Sequence, residues 1–187
     1  AGVVSQVGSN VKHIKAGDRV VYAQSGLGAY SSVHNVPADK VALLPAAISY
    51  EQAAASFLKG LTVFYLLRKT YEIKPGELFL FHAAAGGVGL IACQWAKALG
   101  AKLIGTVGSA EKAQRALQAG AWQVINYRDE NIAERVKELT GGKKLSVVYD
   151  SVGKDTWEAS LDCLKRRGLM VSFGNSSGPV TGVNLGI

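Results

Sequence analysis

The stretch from Gly76 to Lys97, GELFLFHAAAGGVGLIACQWAK, constrains this chain most, because an apolar strand runs straight into a glycine turn and then into a helix. Leu78 to Phe81 is the short apolar run expected of a strand buried on both faces of a parallel sheet. Ala83, Gly86 and Gly89 then stand as an alanine-first version of the three-glycine fingerprint, whose small residues allow a tight turn, close approach of a pyrophosphate and close packing of helix on sheet. Backbone amides at the helix start, with the positive end of the helix dipole, face the phosphates. Such spacing also serves ordinary packing turns, so its context decides. Val88, Ile91, Ala92, Trp95 and Leu99 follow at helical spacing, Gly100 stops the helix, and Leu103 to Val107 forms a second apolar strand. This completes the strand, turn, helix, strand unit on which the dinucleotide meaning depends.

The alternation continues, with strands expected at Leu78 to His82, Leu103 to Val107, Val124 to Tyr127, Leu145 to Asp150 and Leu169 to Phe173. Helices between them are marked by Ala113, Ala116 and Leu117, by Ile132, Val136 and Leu139, and by Trp157, Leu161 and Leu164. The pattern predicts an α/β fold with a Rossmann-type doubly wound parallel sheet. The first 45 residues differ: short β-like runs at Arg19 to Ala23 and Tyr30 to Asn35, with turn residues around Gly17, Pro37 and Pro45, predict part of a small β domain. An alanine-rich helical connector, interrupted near Gly60, is expected from Ile48 to Tyr71.

Composition excludes several classes. No apolar stretch approaches the roughly 18 residues of a membrane-spanning helix, and the first residues, AGVVSQVGSN, lack the pattern of a secretory signal. Cys93 and Cys163 form neither a paired-cysteine motif nor a disulfide framework, which points to a cytoplasmic protein, and His13, His34 and His82 show no ligand spacing with them, which disfavours zinc. The net charge of +7 comes from scattered basic residues apart from Lys143 with Lys144 and the run Lys165 to Arg167. These are expected at solvated element ends rather than in a nucleic-acid patch.

Gly76, Glu77, Leu80, Ala84, Ala85, Gly86, Gly87, Gly89, Gln94 and Lys97 resemble the signature of the quinone oxidoreductase and zeta-crystallin family, within the medium-chain dehydrogenase/reductase superfamily. The likeness extends through Val7 to Tyr22, Ala53 to Leu67 and Val147 to Gly153. It implies that residues 1–58 are the end of a chaperonin-10-like catalytic domain with its connector, and that residues 59–187 are an NADPH-binding Rossmann domain, truncated at its end. The chain starts without methionine inside what the family places in the catalytic domain. It is therefore expected to be a fragment, inactive or poorly folded alone, with much of the quinone pocket beyond its ends.

In NAD-binding versions of the fold an acid at the tip of the second strand binds the ribose hydroxyl. Here that strand ends in Val107-Gly108-Ser109 without an acid, and Lys112 follows one helical turn later, where an ammonium suits the extra phosphate of NADPH. Glu111, in the same first turn, fits either a ribose contact or a dipole-stabilising role. The resemblance implies that Lys112 and Tyr127 surround the 2′-phosphate, assisted by Ser109 or nearby backbone; Arg128 is placed to add charge there, and the glycine turn, Ala85, Gly86, Gly87, Val88 and Gly89, is expected to hold the pyrophosphate. Ser151, in the turn after Asp150, and Phe173, Gly174, Asn175 and Ser176 leave room for the nicotinamide side, since ligands bind beyond the carboxyl ends of the strands. Thr62 resembles the family's nicotinamide-proximal threonine.

The implied activity is zinc-independent transfer of reducing equivalents from NADPH to a quinone, by a protein that is a homodimer when full length. No nucleophile elbow is present, His82 reads as structural, and no catalytic side chain is assigned. Two alternatives share these features: reduction of an enone or enoyl thioester, and a non-catalytic NADPH-binding or RNA-binding protein.

Overall fold

A computed structural model describes residues 1–183 of the chain. The fold divides into two compact units, Ala1–Leu61 and Thr62–Ile187.

In the first unit, β1 (Gly2–Val3), β2 (Arg19–Tyr22) and β3 (Val41–Leu43) form a three-stranded antiparallel sheet. Helix α1 (Tyr50–Tyr65) begins behind a reciprocal cap: the Ser49 amide donates to Gln52 Oε1 at 3.0 Å and the Gln52 amide to Ser49 Oγ at 3.1 Å. Val21, Leu44 and Ala53 make the small core. The expected strand at Tyr30 to Asn35 does not form; the third strand is Val41–Leu43 instead. The Ser31 hydroxyl donates to the carbonyls of Gly28 and Val33, closing a local turn that competes with a sheet ladder. Gly60 does not interrupt α1, which runs through it and passes into one π-helical stretch, Leu66–Thr70.

The second unit is an all-parallel five-stranded sheet in the order β6-β5-β4-β7-β8, formed by β4 (Leu78–Phe81), β5 (Lys102–Val107), β6 (Gln123–Asn126), β7 (Leu145–Asp150) and β8 (Leu164–Ser172). Between them run α2 (Gly87–Ala98), α3 (Ala110–Ala119), α4 (Ile132–Leu139) and α5 (Trp157–Asp162). The period of two within each strand sorts the core into two layers. Phe79, Phe81, Leu103, Val147 and Tyr149 join Ala92, Cys93 and Ala96 of α2 on one face, while Leu80, Ile104 and Val148 join Ile132 and Val136 of α4 on the other. Each such fully buried large side chain contributes roughly 1.5–3 kcal/mol by leaving water. Burial on both faces is why the strands read as continuous apolar runs.

Several boundaries move: β2 ends at Tyr22 rather than Ala23, β4 at Phe81 rather than His82, and β5 starts at Lys102 rather than Leu103. Leu164 opens β8 rather than closing a helix, because Leu145 pairs with Leu164 and Val147 then pairs with Leu169, so the intervening residues of β8 bulge out. The β6 strand lies one residue earlier than expected, although the Tyr127 amide still donates to the Val107 carbonyl of β5 at 3.1 Å, and Phe173 falls just beyond β8.

The strand order places β4 between β5 and β7, so the chain leaves β4 toward one edge and later returns beside it toward the other. The carboxyl ends of β4 and β7 therefore flank the switch point, where ligands of open α/β sheets bind.

Candidate functional site

A cavity of about 540 Å³ opens at those strand ends. One wall is the turn after β4. Ala83 takes a left-handed conformation at φ 53°, its carbonyl accepts from the Gly86 amide at 2.9 Å, and the buried Ala84 donates to the Thr106 carbonyl at 3.0 Å. Ala84, rather than Ala83, thus fills the buried first place of the fingerprint, two residues before Gly86. Its methyl group sits where β5 carries Gly105, and a Cβ added there would lie 2.5 Å from that of Ala84. Gly89 is tighter still: a Cβ would fall 2.5 Å from the carbonyl oxygens of both Ala83 and Ala84. Gly86 is the N-cap of α2 and supplies no capping side chain, so the helix start keeps its amides free of a side-chain acceptor.

The floor comes from Thr106, Val107 and Gly108 at the end of β5, beside Lys112 of α3 and Tyr127 after β6. A Cβ at Gly108 would meet the Tyr127 hydroxyl, so a larger residue there would require that exposed ring to move aside. Ser109 caps α3 by accepting from the Lys112 amide at 3.3 Å, which fixes the helix start while the Lys112 side chain stays exposed and without an ion pair among the described residues. Glu130 also borders the cavity, and its charge is engaged by Arg135 at 3.3 Å.

The opposite wall, the turn after β7, is organised by Asp150. Its side chain is buried and its Oδ1 accepts from the amides of Val152 at 2.7 Å and Gly153 at 3.0 Å, while Oδ2 accepts from the hydroxyls of Thr156 and Ser160, both at 2.7 Å. Burial works against ionisation, but the hydrogen bond from Thr156, the nearby His82 and the bonds from Ser160 and Gly153 outweigh it and hold the carboxyl below its ordinary value. His82, also buried, has its Nε2 2.9 Å from Ser160 Oγ and its Nδ1 3.0 Å from Thr106 Oγ1. Desolvation pushes the imidazole below its ordinary range, against a smaller upward pull from Asp150. The 3.9 Å approach of His82 Nε2 to Asp150 Oδ2 is therefore a contact across Ser160, not a salt bridge between charged groups.

Of the expected cofactor residues, Ala85, Gly86, Lys112, Tyr127 and Ser176 line this cavity. Gly87, Val88 and Gly89 form the first turn of α2 directly behind it. Ser151, Phe173, Gly174 and Asn175 belong to the paired turns after β7 and β8, joined by the Ser176 amide donating to the Ser151 carbonyl at 3.1 Å, but they do not border the cavity. Thr62, half-buried on α1, does not border it either. Gly108, at the acid-free tip of β5, and Val152, in the turn after Asp150, line it as well, whereas Thr106 and Thr156 are lining residues that sequence reasoning passed over. Hydroxyls at Thr156 and Ser160, four apart on a helix following a strand-end Asp, were the available signal. A hollow of about 560 Å³ also lies over α2 and α3, around Gln94, Lys97 and Arg115, but it is an open groove away from the strand ends.

The fold and this crevice define a doubly wound dinucleotide-binding domain. Residues 87–186 match the zinc-binding dehydrogenase family, and the chain belongs to that family. It is 87% identical over all 187 residues to the quinone oxidoreductase of Salmonella typhimurium and 46% identical over 180 residues to a 2-haloacrylate reductase of Burkholderia sp. Among solved structures it superposes on Escherichia coli quinone oxidoreductase complexed with NADPH with a TM-score of 0.97 and 85% identity, covering 99% of this chain and 57% of that one. The chain spans 57% of the Salmonella relative and 54% of the reductase.

The family description implies zinc, and the described residues do not fit it. No group of three or more His, Cys, Asp or Glu among them is placed to hold a metal ion. Cys93 and Cys163 are buried, and desolvation pushes both thiols up to about 12, far from the thiolate that zinc requires. Among the described residues no helix is long and apolar enough to cross a membrane.

Proposed function

We propose that this chain is the nucleotide-binding part of a zinc-independent NADPH:quinone oxidoreductase. Residues 59–187 supply the cofactor domain, and residues 1–58 the end of a chaperonin-10-like catalytic domain, in a cytoplasmic protein that assembles as a homodimer. The observation that carries the reading is the strand-end cavity: it joins an uncapped glycine turn to Lys112 and Tyr127, and the tip of β5 carries no carboxylate. The similarity to a structure complexed with NADPH supports it.

In this reading the amides at the start of α2 hold the pyrophosphate. The Lys112 ammonium and the Tyr127 hydroxyl bind the 2′-phosphate, while the turns after β7 and β8 orient the nicotinamide end. The bound cofactor supplies the hydride, and the protein contributes orientation and exclusion of water. No side chain of this chain is required as an acid, since a reduced quinone can take its proton from water. The 46% identity to a 2-haloacrylate reductase favours one second reading, reduction of an activated double bond on the same scaffold.

The test is NADPH and NADH titration of the full-length protein, followed by its turnover with a panel of quinones and activated alkenes. Preference for NADPH and oxidation by quinones is the expected result. Oxidation by the alkenes alone would select the second reading, and tight binding without turnover by any acceptor would sink both.

A further inference from the structure

The hydrogen bonds beneath the cavity form one continuous chain with a defined direction. Asp150 Oδ2 accepts from Ser160 Oγ at 2.7 Å, which uses the only proton of that hydroxyl. The 2.9 Å contact between Ser160 Oγ and His82 Nε2 then requires the proton on Nε2. His82, neutral in its desolvated site, has a bare Nδ1 that accepts from Thr106 Oγ1 at 3.0 Å. Thr106 Oγ1 in turn faces the Ala83 amide at 3.4 Å. The series begins at Ala83 in the glycine turn, crosses β5 through Thr106, passes through the imidazole to α5, and ends on the carboxylate that holds the amides of Val152 and Gly153. Each link depends on the proton direction of the next.

We propose that His82 is a positioning residue that, as the neutral Nε2-protonated tautomer, couples the glycine turn at Ala83 to the Val152-Gly153 turn and so sets the two walls of the cofactor crevice relative to each other. The step from crevice to cofactor rests on the NADPH reading above; the coupling of the turns does not. Two features make the coupling consequential. Ala83 holds a left-handed conformation that a non-glycine residue keeps only when its surroundings impose it. The opposite turn carries its amides on a single carboxylate oxygen, so movement of Asp150 moves both.

The proposal is tested at three points. Nitrogen chemical shifts of the His82 imidazole at pH 7 should report the neutral Nε2–H form; an Nδ1–H tautomer or an imidazolium would overturn it. Amide hydrogen exchange should then show action at a distance. Thr106→Val removes the hydroxyl with little change of shape, and exchange at Val152 and Gly153 should accelerate about tenfold, a change typical of about 1.4 kcal/mol. Ser160→Ala should do the same at Ala83, and Thr106→Ser should restore the wild-type rates. Unchanged exchange at the far turn in folded variants would sink the coupling. Finally, Ser160→Ala, which does not border the cavity, should raise the dissociation constant for NADPH severalfold. Unchanged affinity would refute the role in the crevice, whereas wild-type protein that shows the exchange coupling but does not bind NADPH would refute the cofactor reading and uphold the coupling.

Discussion

The two walls of the crevice are held by opposite means. The turn after β4 keeps its shape because nothing larger than hydrogen or methyl fits: Gly89 lies against two carbonyl oxygens and Gly105 makes room for Ala84. The turn after β7 keeps its shape because a buried carboxylate gathers two amides and two hydroxyls. One wall is specified by volume and the other by hydrogen-bond direction. They should therefore fail under different substitutions, and the sharpest way to break the comparison is to apply each insult to each wall.

The largest effect is expected at the wall specified by volume. In Gly89→Ala the new methyl group meets backbone oxygen atoms, which cannot rotate away, so α2 must lift from the sheet. Thermal or denaturant unfolding should show a loss of about 3 kcal/mol or more. A loss below 1 kcal/mol would mean the turn yields and that volume does not specify it.

The isosteric change Asp150→Asn leaves volume alone and spoils direction. An amide nitrogen must now face either the Thr156 and Ser160 hydroxyls or the Val152 and Gly153 amides, all of which donate to the carboxylate. Leaving buried donors unpaired should cost about 2 kcal/mol in unfolding free energy. Equal stability of the variant would show that this wall, too, is held by packing alone.

The same distinction gives the walls different responses to pH. His82 is depressed below 6.5 in the folded state, so as pH falls below 6.5 the unfolded chain binds a proton that the folded one refuses, and stability declines until the folded value is reached. Asp150 is depressed below 3.8 and contributes stability above that value, which is lost as pH falls through its folded pKa. Both signs point to acid lability, beginning near pH 6.5 with a slope of at most about 1.4 kcal/mol per pH unit for one proton. Melting temperatures between pH 7.5 and 5 should fall in the wild type, and His82→Gln should flatten that segment. Gly89→Ala leaves His82 and Asp150 with their partners, so it should shift the whole curve down without altering its shape.

These means of support also explain what was legible beforehand. Strand periods and the glycine spacing are local, so Leu78 to Phe81, α2 and the parallel sheet could be read from neighbours in the chain. The carboxylate wall is not local: His82 and Ser160 stand 78 residues apart and meet only after β4 and β7 pair. Single polar residues such as Thr106 and Ser160 carry no periodic signal, and Thr106 hides within an apolar strand. Gly108 was visible as the residue where an acid is absent, but its closeness to Tyr127 depends on β5 pairing with β6. The misplaced strand at Tyr30 to Asn35 has the converse cause, a run of β-like residues captured by the hydroxyl of Ser31.

The smallest effect on the fold is expected at Lys112, which belongs to neither wall. Its side chain is exposed, its backbone is already fixed by the Ser109 cap, and it makes no ion pair among the described residues. Lys112→Ala should therefore leave unfolding free energy within about 0.5 kcal/mol of wild type. If the proposed 2′-phosphate contact holds, affinity for NADPH should fall about tenfold, the size of one charge-assisted contact, while affinity for NADH stays constant. The loss should shrink as salt rises, because an exposed ammonium is screened. Parallel titrations of both cofactors at low and high salt measure this directly. Equal losses for the two nucleotides would place Lys112 in the general architecture of the crevice; a loss confined to NADPH separates reading the cofactor's charge from building the walls that receive it.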